Sequence, residues 1–336
     1  MNICKCILAC VIVSFNTFAM LPSAEMNRTL QKHDLVQASS YENRMQIEVC
    51  DTMVCNCSNA ESVLNEAFQK ISKAAEQKKL IGITFRCQAL ENKQNLVANF
   101  ICRIDNIGLA GLINKIEGII PANVELLNNL RKIRLLGDGK SSEVNFFSDV
   151  SKLHYLEEVT IKFTYSFSEQ LLRQIGSLDN LVRLEFCACK LKKMLDVFGQ
   201  LGSLQKVNFS QNYLSTEDFK RILKAKNLVR IDLWKNNIDE IPEEIGELLQ
   251  LQNLHLDHNK IKNIPACLAS CVILKNLSLL KNPIMSVSSE LQSLKKLDYV
   301  VVSEEIKRLF SGKWSYLYES ASSGNIYFQS AAKISQ

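Results

Sequence analysis

The side chains best suited to chemistry lie within one stretch, where His255, Asp257 and His258 follow a tryptophan at position 234. Imidazole and carboxylate groups can hold a divalent metal ion or exchange protons. Adjacent residues of a strand point to opposite sides, however, so Asp257 and His258 would not converge on one ion. The chain has four histidines and contains no HExxH, nucleophile-elbow or phosphate-loop motif. We therefore expect no enzyme activity, no metal site and no cofactor.

Composition narrows the class of protein further. The 336 residues are 47% hydrophobic, which is enough to bury a large core. The net charge of +5 is spread over 40 basic and 35 acidic side chains without a long run of one sign. Such runs are typical of nucleic-acid tails, so we expect no nucleic-acid partner.

The first residues predict export. Residues 1–19 combine Lys5, an apolar run and the small residues Thr17 and Ala19, as in a cleaved signal peptide. An N-terminal membrane anchor is the alternative, but the apolar run of about 10 residues is half of the ~20 that cross a bilayer. We expect a secreted chain that begins near Met20, with no stable membrane insertion.

The apolar residues around Trp234 follow a repeat. The pattern L-x-x-L-x-L-x-x-N-x-L begins at residues 181, 204, 228, 251 and 274, at steps of 23 or 24. The ninth position of the five copies holds an amide or a thiol side chain, which belongs to Cys189, Asn212, Asn236, Asn259 and Asn282. Positions 4 and 6 alternate on a short strand and point inward, and stacked copies bury one another's leucines.

This pattern resembles the leucine-rich repeat family, whose ninth position is Asn or Cys. The segments after Ile238 and Ile261 resemble the subclass with Ile-Pro spacers. The resemblance implies an α/β solenoid shaped as a curved horseshoe, with a parallel concave sheet and short helices or irregular turns on the convex side. Less regular copies upstream and one downstream extend the predicted repeats over residues 80–303.

The repeats need covering at both ends. We predict a flexible lead-in at 20–49, an N-terminal cap with a helix at 50–79, a C-terminal cap at 304–320 and a disordered tail at 321–336. Cys50, Cys55, Cys57 and Cys87 resemble the N-terminal cysteine cap of extracellular relatives, which implies disulfides there. Buried free thiols and a zinc site are the alternatives.

Positions 3, 5, 7 and 8 of each repeat are the predicted contact surface, because they face solvent and the core does not need them. Trp234 falls at position 7, and a tryptophan rimmed by charges is typical of protein interfaces. A tryptophan that only covers its neighbours, within a solvated charged face, is the alternative. The predicted partner-binding residues are Trp234, Arg230, Asp232, Lys235, His255, Asp257, His258, Arg183 and Lys206.

Four N-x-S/T sequons would carry glycans in an exported chain, at Asn27, Asn56, Asn208 and Asn276. Taken together, the patterns favour a non-catalytic secreted protein that binds another macromolecule through its concave face, and a protein is the expected partner. Recognition, adhesion and a host-directed effector role all fit this interpretation. An intracellular, cytoplasmic scaffold or signalling regulator with the same repeats is the alternative.

Overall fold

The computed structural model defines most of the repeat region continuously. The residues that it describes are 36–41, 44–50, 64–65, 67–73, 80–86, 99, 101–102, 113–117, 123, 126–136, 149–163, 169–314, 317–322 and 325–330. The chain divides into two units, one comprising 1–136 and 146–156 and the other 137–145 and 157–336.

The described residues of the first unit contain five strands. They are β1 (Val36–Tyr41), β2 (Arg44–Cys50), β3 (Leu80–Arg86), β4 (Ile113–Glu117) and β5 (Lys132–Leu136). The pair β1–β2 is antiparallel, whereas β2, β3, β4 and β5 follow one another in parallel. Helical residues 64–65 and 67–73 bury Leu64, Ala67 and Ile71.

The second unit carries the regular repeats as a parallel sheet. Its strands are β6 (Glu158–Lys162), β7 (Arg183–Cys187), β8 (Lys206–Asn208), β9 (Arg230–Asp232), β10 (Asn253–His255), β12 (Asn276–Ser278) and β14 (Tyr299–Ser303). The pairing is in phase, since Arg230 lies opposite Asn253 and Asn253 opposite Asn276. Two further short strands, β11 (Asn263–Ile264) and β13 (Ser286–Val287), pair with each other in the spacers.

The core lies between this sheet and the spacer segments. Residues at positions 4 and 6 are fully enclosed, as for Ile231, Leu233, Leu254 and Leu256 at 0% exposure. Burial of each such side chain contributes roughly 1.5–3 kcal/mol. The predicted inward positions of the repeats are therefore confirmed.

The spacers differ in length and therefore in structure. The longer ones form α1 (Glu169–Gly176) and α2 (Thr216–Ile222), where helical periodicity predicts them. Ser215 begins α2 through a capping box with Asp218, which satisfies backbone donors at the helix start. The Ile-Pro spacers instead form single 3-10 turns, Glu243–Glu247 and Ala266–Ser270.

Both predicted unstructured ends need correction. Part of the flexible lead-in predicted at 20–49 forms the antiparallel pair β1–β2. Part of the disordered tail predicted at 321–336 forms β16 (Asn325–Ser330), which pairs with β14 and with β15 (Leu317–Ser322). Ile326 and Phe328 are buried at 2% and 4% exposure, so their alternation supplies the apolar face that a covering strand needs.

The C-terminal cap holds two buried aromatic side chains. Phe310 and Trp314 follow a 3-10 turn at Glu304–Leu309, and the Trp314 indole Nε1 donates to the Leu291 carbonyl at 2.9 Å. Phe310 also lies 6.5 Å from the ring of Phe328. These contacts close the apolar end of the repeat stack.

Some predictions fall outside the described residues. These are the signal peptide at 1–19, the sequons at Asn27 and Asn56, and the side chains of Cys50, Cys55, Cys57 and Cys87. The predicted disulfides and cleavage site thus stay predictions. Within the described residues, no helix is both long and apolar enough to cross a membrane.

Candidate functional site

The surface that could bind a partner is the side of the sheet opposite the spacers, which we call the open face. It consists of positions 3, 5, 7 and 8 of the repeats in the second unit. Positions 4, 6 and 9 lie on the buried side of the sheet and hold the open-face residues in place.

The ninth-position asparagines fasten each repeat to the one before it. Asn236 Nδ2 donates to the carbonyls of Phe209 and Leu233, both at 3.0 Å, and its Oδ1 accepts from the Leu214 amide at 3.0 Å. Asn212, Asn259 and Asn282 make the same bonds in their own repeats. Buried backbone groups that leave the strands are thereby satisfied.

Cys189 occupies the ninth position in the first regular repeat and reproduces only the donor half of this pattern. Its Sγ lies 3.2 Å from the Cys187 carbonyl and 3.5 Å from the Ile161 carbonyl. The Asn212 Oδ1 accepts the Cys189 amide at 3.0 Å. Both cysteines are buried.

The eighth position has a left-handed backbone in every regular repeat. The residues are not glycines, and their φ angles lie between 53° and 59° at Phe163, Ala188, Gln211, Lys235, His258 and Lys281. Each amide is held by the next repeat, as where His258 N donates to the Leu280 carbonyl at 2.7 Å. The conformation therefore follows from the stacking rather than from the residue type.

Trp234 lies half-buried on the open face, at the end of β9. Its amide donates to Asp232 Oδ1 at 3.2 Å, which fixes the turn that follows the strand. The His258 ring meets the indole edge-on with centroids 6.0 Å apart, and Lys235 Nζ lies 6.0 Å from the indole centroid. The indole is accordingly supported by polar neighbours and is not enclosed by leucines.

A half-buried polar group lies on the strands beside Trp234. Asp257 Oδ1 accepts from Ser278 Oγ at 2.6 Å and from the Leu280 amide at 2.7 Å. Burial raises the pKa of the Asp257 carboxyl, and burial lowers the pKa of His255 despite the nearby charge of Asp232. His255 Nε2 is enclosed without a hydrogen-bond partner. Burial thus favours neutral His255 at this point of the face.

The basic residues predicted at position 3 lie side by side. Arg183 is opposite Lys206, and Lys206 is opposite Arg230. Arg183 forms an ion pair with Glu185 at 3.7 Å, and Arg230 is exposed. The structure thus brings all nine predicted residues onto the open face, but Arg183, Lys206 and Arg230 lie at the opposite ends of the strands from Lys235 and His258.

Sequence reasoning passed over several residues of this face. Lys281 at position 8 and Tyr299 at position 3 extend the rows of His258 and Asn276. Burial raises the pKa of the half-buried Tyr299 hydroxyl. Ser303 was also passed over, and its hydroxyl accepts the Lys281 amide at 2.9 Å. The in-phase continuation of the repeat to residue 303 was the available signal.

The two sequons within the described residues have different surroundings. Asn276 Nδ2 donates to Asn253 Oδ1, and the following Leu277 is fully buried. Asn208 Oδ1 accepts the Ser210 amide at 3.1 Å. A sugar on Asn276 would compete with a contact between two strands, whereas the Asn208 contact is made through its oxygen.

In the described ranges, no cluster of three or more His, Cys, Asp or Glu side chains could hold a metal ion. The parallel strands, the asparagine bonds and the left-handed eighth positions together define the class, and the chain is a leucine-rich repeat protein. A family model described as "Leucine rich repeat" matches residues 226–284.

Among characterised proteins, the chain is similar to human volume-regulated anion channel subunit LRRC8E, at 27% identity over 171 residues. That match covers 48% of this chain and 21% of the relative. Human subunit LRRC8A is 30% identical over 99 residues, which cover 29% of this chain and 12% of that protein. The chain thus covers about a fifth of these relatives or less.

Internalin C2 of Listeria monocytogenes has a similar solved structure. The TM-score is 0.50 at 19% identity, and the alignment covers 61% of this chain and 92% of that one. At this identity the similarity shows the fold alone.

Proposed function

We propose that this chain is a non-catalytic protein that binds another protein through the open face of its sheet. Recognition, adhesion or a host-directed effector role are the functions that this activity would serve. The observation that supports this proposal most directly is Trp234, a half-buried indole on a face where the core does not require it. It packs edge-on against His258 and lies beside the exposed Lys235.

A protein partner fits these residue types best. Tryptophan and arginine supply much of the binding energy in protein interfaces, and a polar rim surrounds such anchors. Arg230 and Lys235 are exposed on the same strand and turn as Trp234. The indole is also held in position before binding, which lowers the entropic cost of ordering it in a complex.

The channel activity of the relatives is not carried over to this chain. The similarity to the volume-regulated anion channel subunits covers at most about a fifth of their length. Within this chain, residues 226–284 match the repeat family. The repeated fold supports binding as the common property.

A comparative capture experiment tests the proposal. Full-length chain, a Trp234→Ala variant and a Leu249→Ala variant are immobilised and exposed to the same extract. Leu249 is the matched control because it is a large apolar side chain, 59% exposed, at the spacer side of the stack. Proteins retained by the parent chain and by Leu249→Ala, but lost with Trp234→Ala, are the expected partners.

Affinity for a partner found in this way should fall with Trp234→Ala by about 2 kcal/mol, roughly thirtyfold in Kd. Equal retention of every captured protein by all three baits would contradict binding through the open face. Loss of the same proteins with Leu249→Ala alone would move the interface to the spacer side.

Secretion is the second part of the proposal, and it rests on the leader-like composition of residues 1–19. Four cysteines among the described residues are free thiols, at positions 102, 187, 267 and 271. This observation favours the intracellular alternative, since disulfides persist mainly outside the cytosol. Burial raises the pKa of Cys187 to about 11 and that of Cys271 to about 12, so neither thiol would oxidise readily in either compartment.

Two measurements on protein from the native host distinguish the compartments. Amino-terminal sequencing should find a mature chain that begins near Met20, and glycosidase treatment should lower its mass. An intact Met1 with no loss of mass would favour the intracellular scaffold instead.

A further inference from the structure

The eighth positions of three consecutive repeats form a basic edge of the open face. We call Lys235, His258 and Lys281 the position-8 row. All three side chains are exposed, and their φ angles are 57°, 55° and 53°. Their amides are fixed by the Asp257 carbonyl, the Leu280 carbonyl and the Ser303 hydroxyl, at 2.8, 2.7 and 2.9 Å. The side chains therefore leave a rigid backbone at regular intervals.

The basic character of this row is not needed for folding. Upstream repeats place Phe163, Ala188 and Gln211 at the same position with the same left-handed backbone. Lysine has no special preference for that conformation, which favours glycine, asparagine and aspartate. The row must then owe its residue types to something other than the turn.

The lysine charges of the row are not neutralised within the sheet. In the described part of the chain, Lys235 and Lys281 form no ion pair, whereas Lys162, Lys224 and Lys226 are paired with carboxylates. Two acids of the open face beside Trp234 are used internally, whereas Glu304, which follows Ser303, is exposed. Asp232 accepts the Trp234 amide, and Asp257 accepts the Ser278 hydroxyl and the Leu280 amide.

The indole of Trp234 joins an apolar surface to this basic edge. Lys235 Nζ lies 6.0 Å from the indole centroid, and the His258 ring packs edge-on against it. A ligand that contacts the row therefore meets an aromatic anchor as well as positive charge. Polypeptides combine acidic and apolar side chains, whereas sulfated polysaccharides offer anions without an apolar side chain.

Resting on the proposed function, we propose that the position-8 row selects an acidic protein segment that crosses the strands beside Trp234. Neighbouring strands are about 4.8 Å apart, so Lys235 and Lys281 are separated by about 10 Å. Carboxylates four residues apart on an extended chain point to the same side about 13 Å apart, at about 3.3 Å per residue, and the flexible lysine stems span the difference. The apolar residue between them would lie against the indole.

Fluorescence anisotropy with a labelled synthetic peptide tests this selection. The peptide has the pattern Glu-x-Leu-x-Glu, in which both glutamates and the leucine point to one side of an extended chain, and a second peptide has glutamine in place of both glutamates. The full chain should bind the glutamate peptide and discriminate against the glutamine peptide. The double variant Lys235→Gln/Lys281→Gln should bind the glutamate peptide about tenfold more weakly.

The double variant Lys295→Gln/Lys296→Gln is the matched control, since it removes two charges from exposed lysines of a spacer. It should leave the affinity unchanged. An equal loss of affinity in the control would show that only the net charge matters and would overturn the proposal. Equal affinity for both peptides would overturn it as well. Tighter binding of a heparin fragment that depends on Lys235 and Lys281 would assign the row to a polysaccharide.

Trp234→Ala separates this inference from the proposed function. Weaker peptide binding in both Trp234→Ala and the lysine variant is the expected result. Dependence on the lysines without dependence on Trp234 would retain the acidic partner and remove the indole anchor. If peptide binding depends on neither the lysines nor Trp234, the proposed selection of an acidic segment is wrong. The capture experiment would still decide whether the open face binds a protein.

Discussion

The two sides of the same strands differ in how far their residues repeat. On the buried side, positions 4, 6 and 9 keep their chemistry from one repeat to the next, as with the fully enclosed Ile231 and Leu254. On the open side, position 7 changes from Ser210 to Trp234 to Asp257 within three repeats. Regularity therefore marks residues that hold the fold, and irregularity marks residues available for recognition. The predictions below test that division.

The largest loss of stability should come from removing one ninth-position amide. Asn236→Ala would leave the Phe209 and Leu233 carbonyls and the Leu214 amide without this partner. Unsatisfied buried groups cost about 1–3 kcal/mol each, so the free energy of unfolding should fall by about 4 kcal/mol. Urea denaturation measures it, with Asn237→Ala as the control at the adjacent, less buried position. Equal losses of stability in the two variants would contradict the stabilising role of the ninth-position asparagines.

Leu256→Ala should have the next largest effect. Its side chain is at 0% exposure, and such truncations cost about 2–5 kcal/mol through lost burial and the cavity that remains. Leu249→Ala, at 59% exposure, should be nearly neutral in the same denaturation experiment. Comparable losses at both positions would show that the two sides were assigned incorrectly.

Trp234→Ala should change the free energy of unfolding by less than about 1 kcal/mol, although it should weaken binding. The reason is that Trp234 is only half-buried and contacts His258 and Lys235 rather than the core. Thermal denaturation of the free chain provides the measurement. A destabilisation as large as that of Leu256→Ala would make Trp234 a packing residue and remove the basis for the binding surface.

The smallest effect should appear as pH dependence at His255. Burial lowers the pKa of His255 below its ordinary value of 6.5, while Asp232 and Asp257 oppose this shift and Arg230 adds to it. The unfolded chain then binds the proton first, so stability falls as pH drops below about 6.5. Denaturation between about pH 7.5 and about pH 5.5 should show a shallower decline for His255→Asn than for the parent chain. Identical slopes would contradict a histidine kept neutral by burial.

Most of the fold could be predicted from the period of the repeat. Leucines at positions 1, 4 and 6 identified the inward residues, since a strand alternates its side chains and stacked repeats keep one phase. Helical periodicity also located α1 and α2. In contrast, β1, β2 and β16 escaped prediction, because they lie outside the repeat and pair through local alternation that polar neighbours obscure.

The candidate surface was predictable in outline only. Trp234 could be placed because its position in the repeat follows from Ile231 and Leu233. Its edge-on contact with His258 depends on backbone geometry at position 8, which no residue type there reveals. Lys281 was missed although the repeat that starts at Leu274 places it at position 8, which was already part of the predicted surface.

The eighth position also bears on how such a protein can change. Phe163, Ala188, Gln211, Lys235, His258 and Lys281 adopt one conformation despite five different side-chain types. Because the neighbouring repeats impose the bend, a new residue can be tried there at little structural risk. A single codon change could then redirect the chain to a different ligand while its architecture is inherited intact.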